Sequence, residues 1–318
     1  MSKVSSTNPM ELGDKEVHFQ GLRINFFITL LKPRVMSLAV YTALVGIVLA
    51  SGHISFLKGI ISIFSIAMGA GASGALNMYY DSDIDKVMMR TASRPIPIGK
   101  IAPWEALAFG IFLAILSITI MGLAINRMSA ILLFLSIFFY IIIYTVWLKR
   151  RTPQNIVIGG IAGAIPPMIG WSSVTGDISI EGLVMFLIIF FWTPPHFWSL
   201  ALLYKNDYEM AGVPMLPNVA TDRTTKIHIL VYTVLTSIVG LLPTILGFAS
   251  IVYGIIVFFL GCNFVLWALR ATFLCTEEQS IIVIKKLFLT SISYLFILFS
   301  ILMVDHLIGI KIIEYYFL

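Results

Sequence analysis

The chain has 318 residues, of which 59% are hydrophobic and only 12% are charged, with a formal net charge of +5. Ordinary soluble domains are about 25% charged, so this composition excludes a soluble globular enzyme and indicates a protein embedded in a lipid bilayer. The net charge bears on orientation in that bilayer rather than on partners, and we expect no nucleic-acid partner. Cys262 and Cys275 fall in or beside apolar segments, so neither a disulfide framework nor a paired-cysteine metal site is predicted.

The first 25 residues are polar and of mixed charge, without an apolar core or a cleavage site. This pattern is neither that of a secretory signal peptide nor that of an arginine-rich transit peptide. We therefore predict a polar cytoplasmic tail over residues 1–25 and a single transmembrane domain over residues 26–318. The missing transit peptide favours a bacterial plasma (inner) membrane over a mitochondrial one.

Windows of about 20 mostly apolar residues predict an all-α membrane protein with nine transmembrane helices. In chain order the windows are 35–52, 56–77, 103–125, 128–148, 154–173, 180–203, 227–248, 250–273 and 286–304. The weakest separation is that between the seventh and eighth windows, because the turn near residues 248–251 has almost no polarity. In the fifth window, Gly159-Gly160 and Pro166-Pro167 predict close helix packing and a kink.

The charges of the connecting loops predict the orientation. Of the 21 basic residues, all but Lys58, Arg127 and Lys311 fall on one side of a nine-helix arrangement. Because cytoplasmic loops are enriched in lysine and arginine, the N-terminus is predicted to be cytoplasmic and the C-terminus outside. Two loops on the cytoplasmic side, 78–102 and 204–226, are longer than a turn requires. They follow the second and sixth helices.

The first long loop begins with three carboxylates and an amide in nine residues, which are Asn77, Asp81, Asp83 and Asp85. If the helix continues, the spacing places Asn77, Asp81 and Asp85 on one face and turns Asp83 roughly the opposite way. Carboxylates stacked one helical turn apart repel each other and need compensation. Hard oxygen ligands on one face suit Mg²⁺, which usually arrives together with substrate phosphates.

Arg90 and Arg94 follow these carboxylates and are placed to hold further phosphate oxygens. The simpler alternative is a solvated loop whose charges mark the membrane edge. The dense and regular pattern favours a diphosphate site. Lys32-Pro33-Arg34, at the start of the first span, is either a membrane anchor or a wall of that site.

The second long loop offers Asp207 as a further oxygen ligand and Lys205 as a point charge for phosphate. Alone, this pair is typical of a surface turn, but it lies on the same predicted membrane face as the first loop. His196 precedes it, inside the sixth span, after Pro194-Pro195. An ionisable residue within a membrane span is a functional-site hypothesis, here as a ligand to a metal in a bound cofactor or as an acid or base. A packing histidine is the alternative.

A family resemblance rests on three motifs, which are Asn77-x-x-x-Asp81-x-x-x-Asp85 with Met89-Arg90-Thr91 and Arg94, then Thr193-Pro194-Pro195-His196-Phe197-Trp198, and last Asp207-Tyr208 with Gly212-Val213-Pro214-Met215-Leu216-Pro217. On these motifs the chain resembles the UbiA-type intramembrane prenyltransferases, from Lys32 to the ninth span. The first motif belongs to that family at large. The other two point to its heme-modifying branch.

The resemblance implies a UbiA-type bundle that transfers the farnesyl group of farnesyl diphosphate to the 2-vinyl group of heme b, with addition of water, giving heme O and diphosphate. It implies that the residues that act in catalysis and hold Mg²⁺ are Asn77, Asp81, Asp85 and Asp207. It implies diphosphate binding by Arg90, Arg94 and Lys205, and contact of His196 with heme, at its iron or a propionate. Hand-over of the product to a heme A synthase stays an open hypothesis.

One departure from the family pattern concerns the second loop. Many members carry a second Asp-x-x-x-Asp pair there, whereas this chain offers Asp207 and Glu209. The number of Mg²⁺ ions therefore stays open.

Three alternatives to heme farnesylation follow from the same residues. The aspartate motif would bind only the diphosphate and therefore does not distinguish between acceptors. A prenyltransferase acting on a quinone precursor or another aromatic ring also fits it. A transporter with broken helices is disfavoured, because its polar groups would lie near the bilayer midplane rather than on one face. A structural subunit of a respiratory complex would leave the aspartate spacing unexplained.

Overall fold

The computed structural model describes residues 23–309, with the side chain of Glu277 excepted. The helices are α1 (Arg23–Leu30), α2 (Pro33–Leu49), α3 (Phe56–Tyr80), α4 (Ser82–Val87), α5 (Pro103–Ile120), α6 (Arg127–Phe138), α7 (Asn155–Ala164), α8 (Pro166–Thr175), α9 (Ile180–Leu203), α10 (Lys205–Met210), α11 (Leu216–Val219), α12 (Asp222–Val239), α13 (Leu242–Ile245), α14 (Ile251–Leu269) and α15 (Glu277–Ile308). Three π-helical stretches, Met121–Ile125, Phe139–Leu148 and Arg270–Leu274, extend α5, α6 and α14.

Within the described residues, eight helices are long and apolar enough to cross a membrane, or nine if α1 and α2, which meet at an angle of 51°, form one bent span. Each predicted apolar window falls on one of these helices, so the all-α membrane architecture is confirmed. The predicted tail lies outside the described residues as far as residue 22, and α1 begins at Arg23. The orientation of the termini stays a prediction.

Membrane-spanning helices that follow one another in the chain pack side by side, and α15 closes the bundle by packing against α2 and α9. The span formed by α7 and α8 is the innermost, with 72% of its apolar window buried by the rest of the protein. This enclosure explains why its sequence is rich in glycine, since small residues let neighbouring backbones approach closely.

The fifth span is interrupted between α7 and α8 at Ile165, where the sequence predicts a kink. Pro166 and Pro167 begin α8, where the missing backbone N–H groups are tolerated because the first turn of a helix leaves such groups unbonded. Close packing is confirmed. A Cβ atom added to Gly159 would lie 2.3 Å from the Tyr144 ring.

Helices α2 and α8 approach each other backbone to backbone. A Cβ atom at Gly46 would lie 2.2 Å from the carbonyl oxygen of Pro167, and one at Gly170 would lie 2.0 Å from that of Ala43. Neither neighbour is a flexible side chain, so only glycine fits at these two positions.

The seventh and eighth spans, whose separation is the weakest in the sequence, are joined by a well-defined turn. Ser250 caps the N-terminus of α14, and its side chain accepts a hydrogen bond from the Tyr253 backbone N–H. Asp305, reaching across from α15, accepts hydrogen bonds from the backbone N–H (2.8 Å) and the hydroxyl of Ser250. A buried carboxylate therefore stabilises a turn that has little polarity of its own.

Candidate active site

The aspartate motif lies at the end of α3 and in α4. Although α3 ends at Tyr80, the Asp81 N–H donates to Asn77 O (2.9 Å) and the Asp85 N–H donates to Asp81 O (2.8 Å), so helical bonding passes through the break. The side chains of Asn77, Asp81 and Asp85 therefore share an inward face and are buried. Asp83 is exposed on the other side, as the spacing predicts.

Asp81 is the most enclosed of these carboxylates, with no exposed surface. Its Oδ2 accepts from the Asn77 amide (2.7 Å) and pairs with the Lys149 ammonium. Its Oδ1 has no hydrogen-bond partner among the described residues and lies 3.8 Å from Arg150. A buried carboxylate oxygen without a partner is energetically unfavourable. A cation or a hydrogen-bond donor that binds Oδ1 of Asp81 would therefore be stabilised here.

A π-helical stretch brings the fourth span into the site. The Lys149 N–H donates to Tyr144 O (2.8 Å), five residues earlier, which is the wider π-helical turn. Thr145 donates its hydroxyl hydrogen to Tyr140 O (2.8 Å) and accepts from the Asn77 amide (3.2 Å). Sequence reasoning used Lys149 only for orientation and missed it as a site residue, because no motif links it to Asp81.

Lys32 is a further basic residue in contact with the aspartate motif. It sits between α1 and α2 with a φ of 51°, a left-handed conformation rare outside glycine. Its ammonium donates to Asn77 Oδ1 at 2.5 Å. Of the residues of Lys32-Pro33-Arg34, Lys32 thus lies beside the aspartate motif, while Arg34 is exposed.

The two arginines of the first loop contact different carboxylates, one in the same loop and one in the second long loop. Arg94 forms a mostly buried ion pair with Asp85 at 2.6 Å. The backbone N–H of Arg90 donates to Asp207 Oδ2 (3.3 Å), and its guanidinium lies 5.6 Å from the centre of the Tyr204 ring. The two long loops therefore meet, as their shared face predicts.

Arg150 binds the outward carboxylate. Its guanidinium forms two 2.7 Å hydrogen bonds with Asp83 and stacks 5.0 Å from the centre of the Tyr80 ring. The hydrogen bond from Arg150 is the main cause that lowers the pKa of Asp83 below its ordinary value. This pair neutralises the exposed edge of the site.

Lys205, another predicted diphosphate ligand, forms an ion pair with a residue of α12. Its ammonium pairs with Asp222 at 2.7 Å, and the two side chains are 37% and 53% exposed. Its carbonyl accepts from Asn218 (3.0 Å), which ties α10 to α11. The neighbouring Asp207 is buried while Glu209 is exposed, so the second loop contributes one buried acid.

His196 lies in α9 within an aromatic cluster. Its ring stacks between Trp192 (4.3 Å between centroids) and Phe288 (4.8 Å). Its Nδ1 lies 2.8 Å from the Ser291 hydroxyl on α15. The histidine is thus placed where a flat aromatic molecule would find similar surfaces, and no described carboxylate bonds to it.

The described residues contain no group of three or more His, Cys, Asp and Glu side chains gathered closely enough to hold a metal ion. The carboxylates of the motif are instead balanced by Lys149 and Arg94, and the Asn77 oxygen by Lys32. The donor atoms are hard oxygens, and the unpartnered Oδ1 of Asp81 suits a divalent cation. The residues therefore fit a metal that binds together with an anionic ligand.

A pair of substitutions at Asp207 tests the contact between the loops. Asp207→Asn keeps an oxygen acceptor for the Arg90 N–H but removes the charge, whereas Asp207→Ala removes both. If charge at this position supports turnover, both variants will lose at least about tenfold in rate. If Asp207 only docks the loop, asparagine will keep near-normal activity and alanine will not. Initial rates of diphosphate release at matched expression distinguish the two.

Comparison with known proteins places the chain in a family. The family model described as the UbiA prenyltransferase family matches residues 39–292, and the chain belongs to that family. Solved structures agree in fold. A digeranylgeranylglyceryl phosphate synthase has a TM-score of 0.74 at 20% identity, covering 89% of this chain and 98% of its own. A UbiA homologue of Archaeoglobus fulgidus, bound to GPP and Mg²⁺, has a TM-score of 0.59 at 16% identity, covering 87% and 99%.

Sequence relatives are closer. The chain is 56% identical to a protoheme IX farnesyltransferase of Rhizobium rhizogenes, over 94% of this chain and 93% of the relative. It is 57% identical to a protoheme IX farnesyltransferase of Sinorhizobium fredii, over 89% of each chain. These bacterial relatives and the apolar helices together show a multi-pass membrane protein and a transferase.

Proposed function

We propose that this protein transfers the farnesyl group of farnesyl diphosphate to the 2-vinyl group of heme b, giving heme O. The observation that carries the proposal is the 53–58% identity to relatives named protoheme IX farnesyltransferase, over most of both chains. The buried aspartate cluster adds a place for the diphosphate, because it is surrounded by lysine and arginine side chains.

The diphosphate end of the substrate would lie against Lys32, Lys149 and Arg94. These side chains now satisfy oxygens of Asn77, Asp81 and Asp85, so turning toward phosphate oxygens would release those oxygens for a metal. The ligands would be Asn77, Asp81, Asp85 and Asp207. Mg²⁺ bound there would supply positive charge that stabilises the leaving diphosphate.

The basic side chains also stabilise the negative charge of the leaving diphosphate. As the bond between farnesyl C1 and the diphosphate oxygen breaks, its electron pair leaves with the diphosphate, and the added negative charge is stabilised by Lys149, Arg94 and Lys32. Arg90, whose guanidinium lies over Tyr204, would bind the outer phosphate oxygens. Because these donors turn toward the phosphate oxygens when the substrate binds, little further reorganisation is needed when the charge develops.

The allylic cation then takes the electron pair of the vinyl group, which forms the new carbon–carbon bond. The resulting benzylic-type cation takes up water and loses a proton, leaving the hydroxyl group of heme O. A site enclosed by apolar helices keeps bulk water from the first cation. The heme would lie near the aromatic cluster of α9 and α15, with His196 toward its iron or a propionate.

The predicted orientation places this site at the cytoplasmic face of a bacterial inner membrane, with the C-terminus outside. Both substrates have an apolar body and an anionic end, which suits a pocket in the bilayer with a charged mouth. A heme A synthase is a natural recipient of the product.

The proposal is tested by extracting heme from membranes of cells that express the chain and separating it by chromatography. With farnesyl diphosphate supplied, we expect a new heme that is more hydrophobic than heme b and is absent from membranes without the chain. Parallel reactions offer 4-hydroxybenzoate as acceptor. Prenylation of the benzoate with heme b unchanged would establish the quinone-precursor alternative instead, and no consumption of farnesyl diphosphate by folded protein would overturn both.

A further inference from the structure

Ser291, a buried residue of α15, makes contacts with the aromatic segment of α9 through both its backbone and its side chain. The indole N–H of Trp192 donates to the Ser291 carbonyl at 2.7 Å, and the Ser291 hydroxyl lies 2.8 Å from His196 Nδ1. Two helices are thus joined around the one histidine that the proposed function assigns to heme.

The direction of the bond between Ser291 and His196 follows from a second contact. The same hydroxyl oxygen lies 2.6 Å from the carbonyl oxygen of Phe288. A carbonyl only accepts, so the single hydroxyl hydrogen must lie in that contact. Toward His196 the hydroxyl therefore accepts, and Nδ1 carries the hydrogen.

The remaining nitrogen of His196 is then defined. In neutral imidazole with a hydrogen on Nδ1, Nε2 carries a lone pair. Nε2 has no hydrogen-bond partner among the described residues and is not completely buried, so its lone pair is not taken up by the protein. The ring faces are covered by Trp192 and Phe288, which leaves the edge of the ring as the reactive part.

We infer that Ser291 is a positioning residue, which holds His196 in the Nδ1–H tautomer and thereby presents the Nε2 lone pair to the iron of a bound heme. The inference rests on the proposed function, since it takes heme as the ligand. Partners that bond the second nitrogen of a metal-binding histidine fix its tautomer and ring orientation, and their loss typically weakens metal binding about 10–100-fold.

The test is a titration of purified, detergent-solubilised protein with heme b, followed by visible absorption. Ser291→Ala removes the acceptor while keeping the backbone contact to Trp192, and Ser293→Ala is the matched control, an exposed serine of the same helix. We expect Ser291→Ala to raise the heme Kd about 10–100-fold and to lose the imidazole-ligated spectrum. Ser293→Ala should match the parent protein.

Two outcomes would overturn the inference. Equal spectra and Kd for Ser291→Ala and Ser293→Ala would remove the positioning role. An unchanged spectrum for His196→Ala would remove the ligand role, whereas loss of that spectrum and its return with added imidazole would support it. Heme O formation by the parent protein, measured on the same preparations, reports separately on the proposed function, so failure of the tautomer argument is distinguishable from failure of heme farnesylation.

Discussion

Asp81→Asn is expected to lower farnesyl transfer at least about 100-fold. The substitution preserves the size of a side chain that has no exposed surface, so it tests charge rather than packing. It leaves the Lys149 ammonium beside a neutral amide and removes the carboxylate oxygen that has no partner now. A divalent cation that binds with the diphosphate would lose its most enclosed charged ligand.

Asp83→Asn is the matched control, two residues along the same helical segment. Its side chain is 62% exposed, and its ion pair with Arg150 lies at the surface, where such pairs contribute about 0–1 kcal/mol. We therefore expect its activity to stay within about fivefold of the parent protein. Heme O formed per unit of membrane protein, at matched expression, is the measurement. Equal losses for the two variants would contradict a specific role for Asp81.

Gly170→Ala is expected to lower the free energy of unfolding by about 3 kcal/mol or more, the upper end of the usual cost of overpacking. The added methyl group would lie 2.0 Å from the carbonyl oxygen of Ala43, which belongs to the backbone of α2. No rotamer change relieves that contact, so α2 and α8 must separate. Because Lys32 immediately precedes α2, the same displacement would disturb the polar site.

Gly163→Ala provides the control within the same span. A methyl group there meets no atom within 4 Å, and alanine is the better helix former. Thermal unfolding of the two variants in detergent should show a large decrease in melting temperature for Gly170→Ala and no decrease for Gly163→Ala. A small effect at both positions would show that the α2–α8 contact adjusts more easily than its geometry indicates.

Local patterns in the chain were enough to predict the spans and the inner face of the aspartate motif. Apolar windows of membrane-spanning length leave the backbone little choice but helix, because unpaired peptide groups are costly in lipid. Residues two apart in a helix face nearly opposite sides, so the spacing alone predicts that Asp81 and Asp83 point in different directions. The structure confirms this, because Asp81 is buried and Asp83 is exposed. Pro166-Pro167 likewise lie where the structure interrupts the helix of the fifth span.

Contacts between distant segments were decided only by the tertiary structure. Lys149 reaches Asp81 across 68 positions in the chain, and it directly follows a π-helical stretch that no residue pattern predicts. Lys205, a predicted phosphate contact, is paired with Asp222, a residue that no pattern in the chain links to it. Ser291 meets His196 across 95 positions. The sequence alone determines which residues must face inward, because burial and helical period are local; which inward residues become partners depends on how the helices cross.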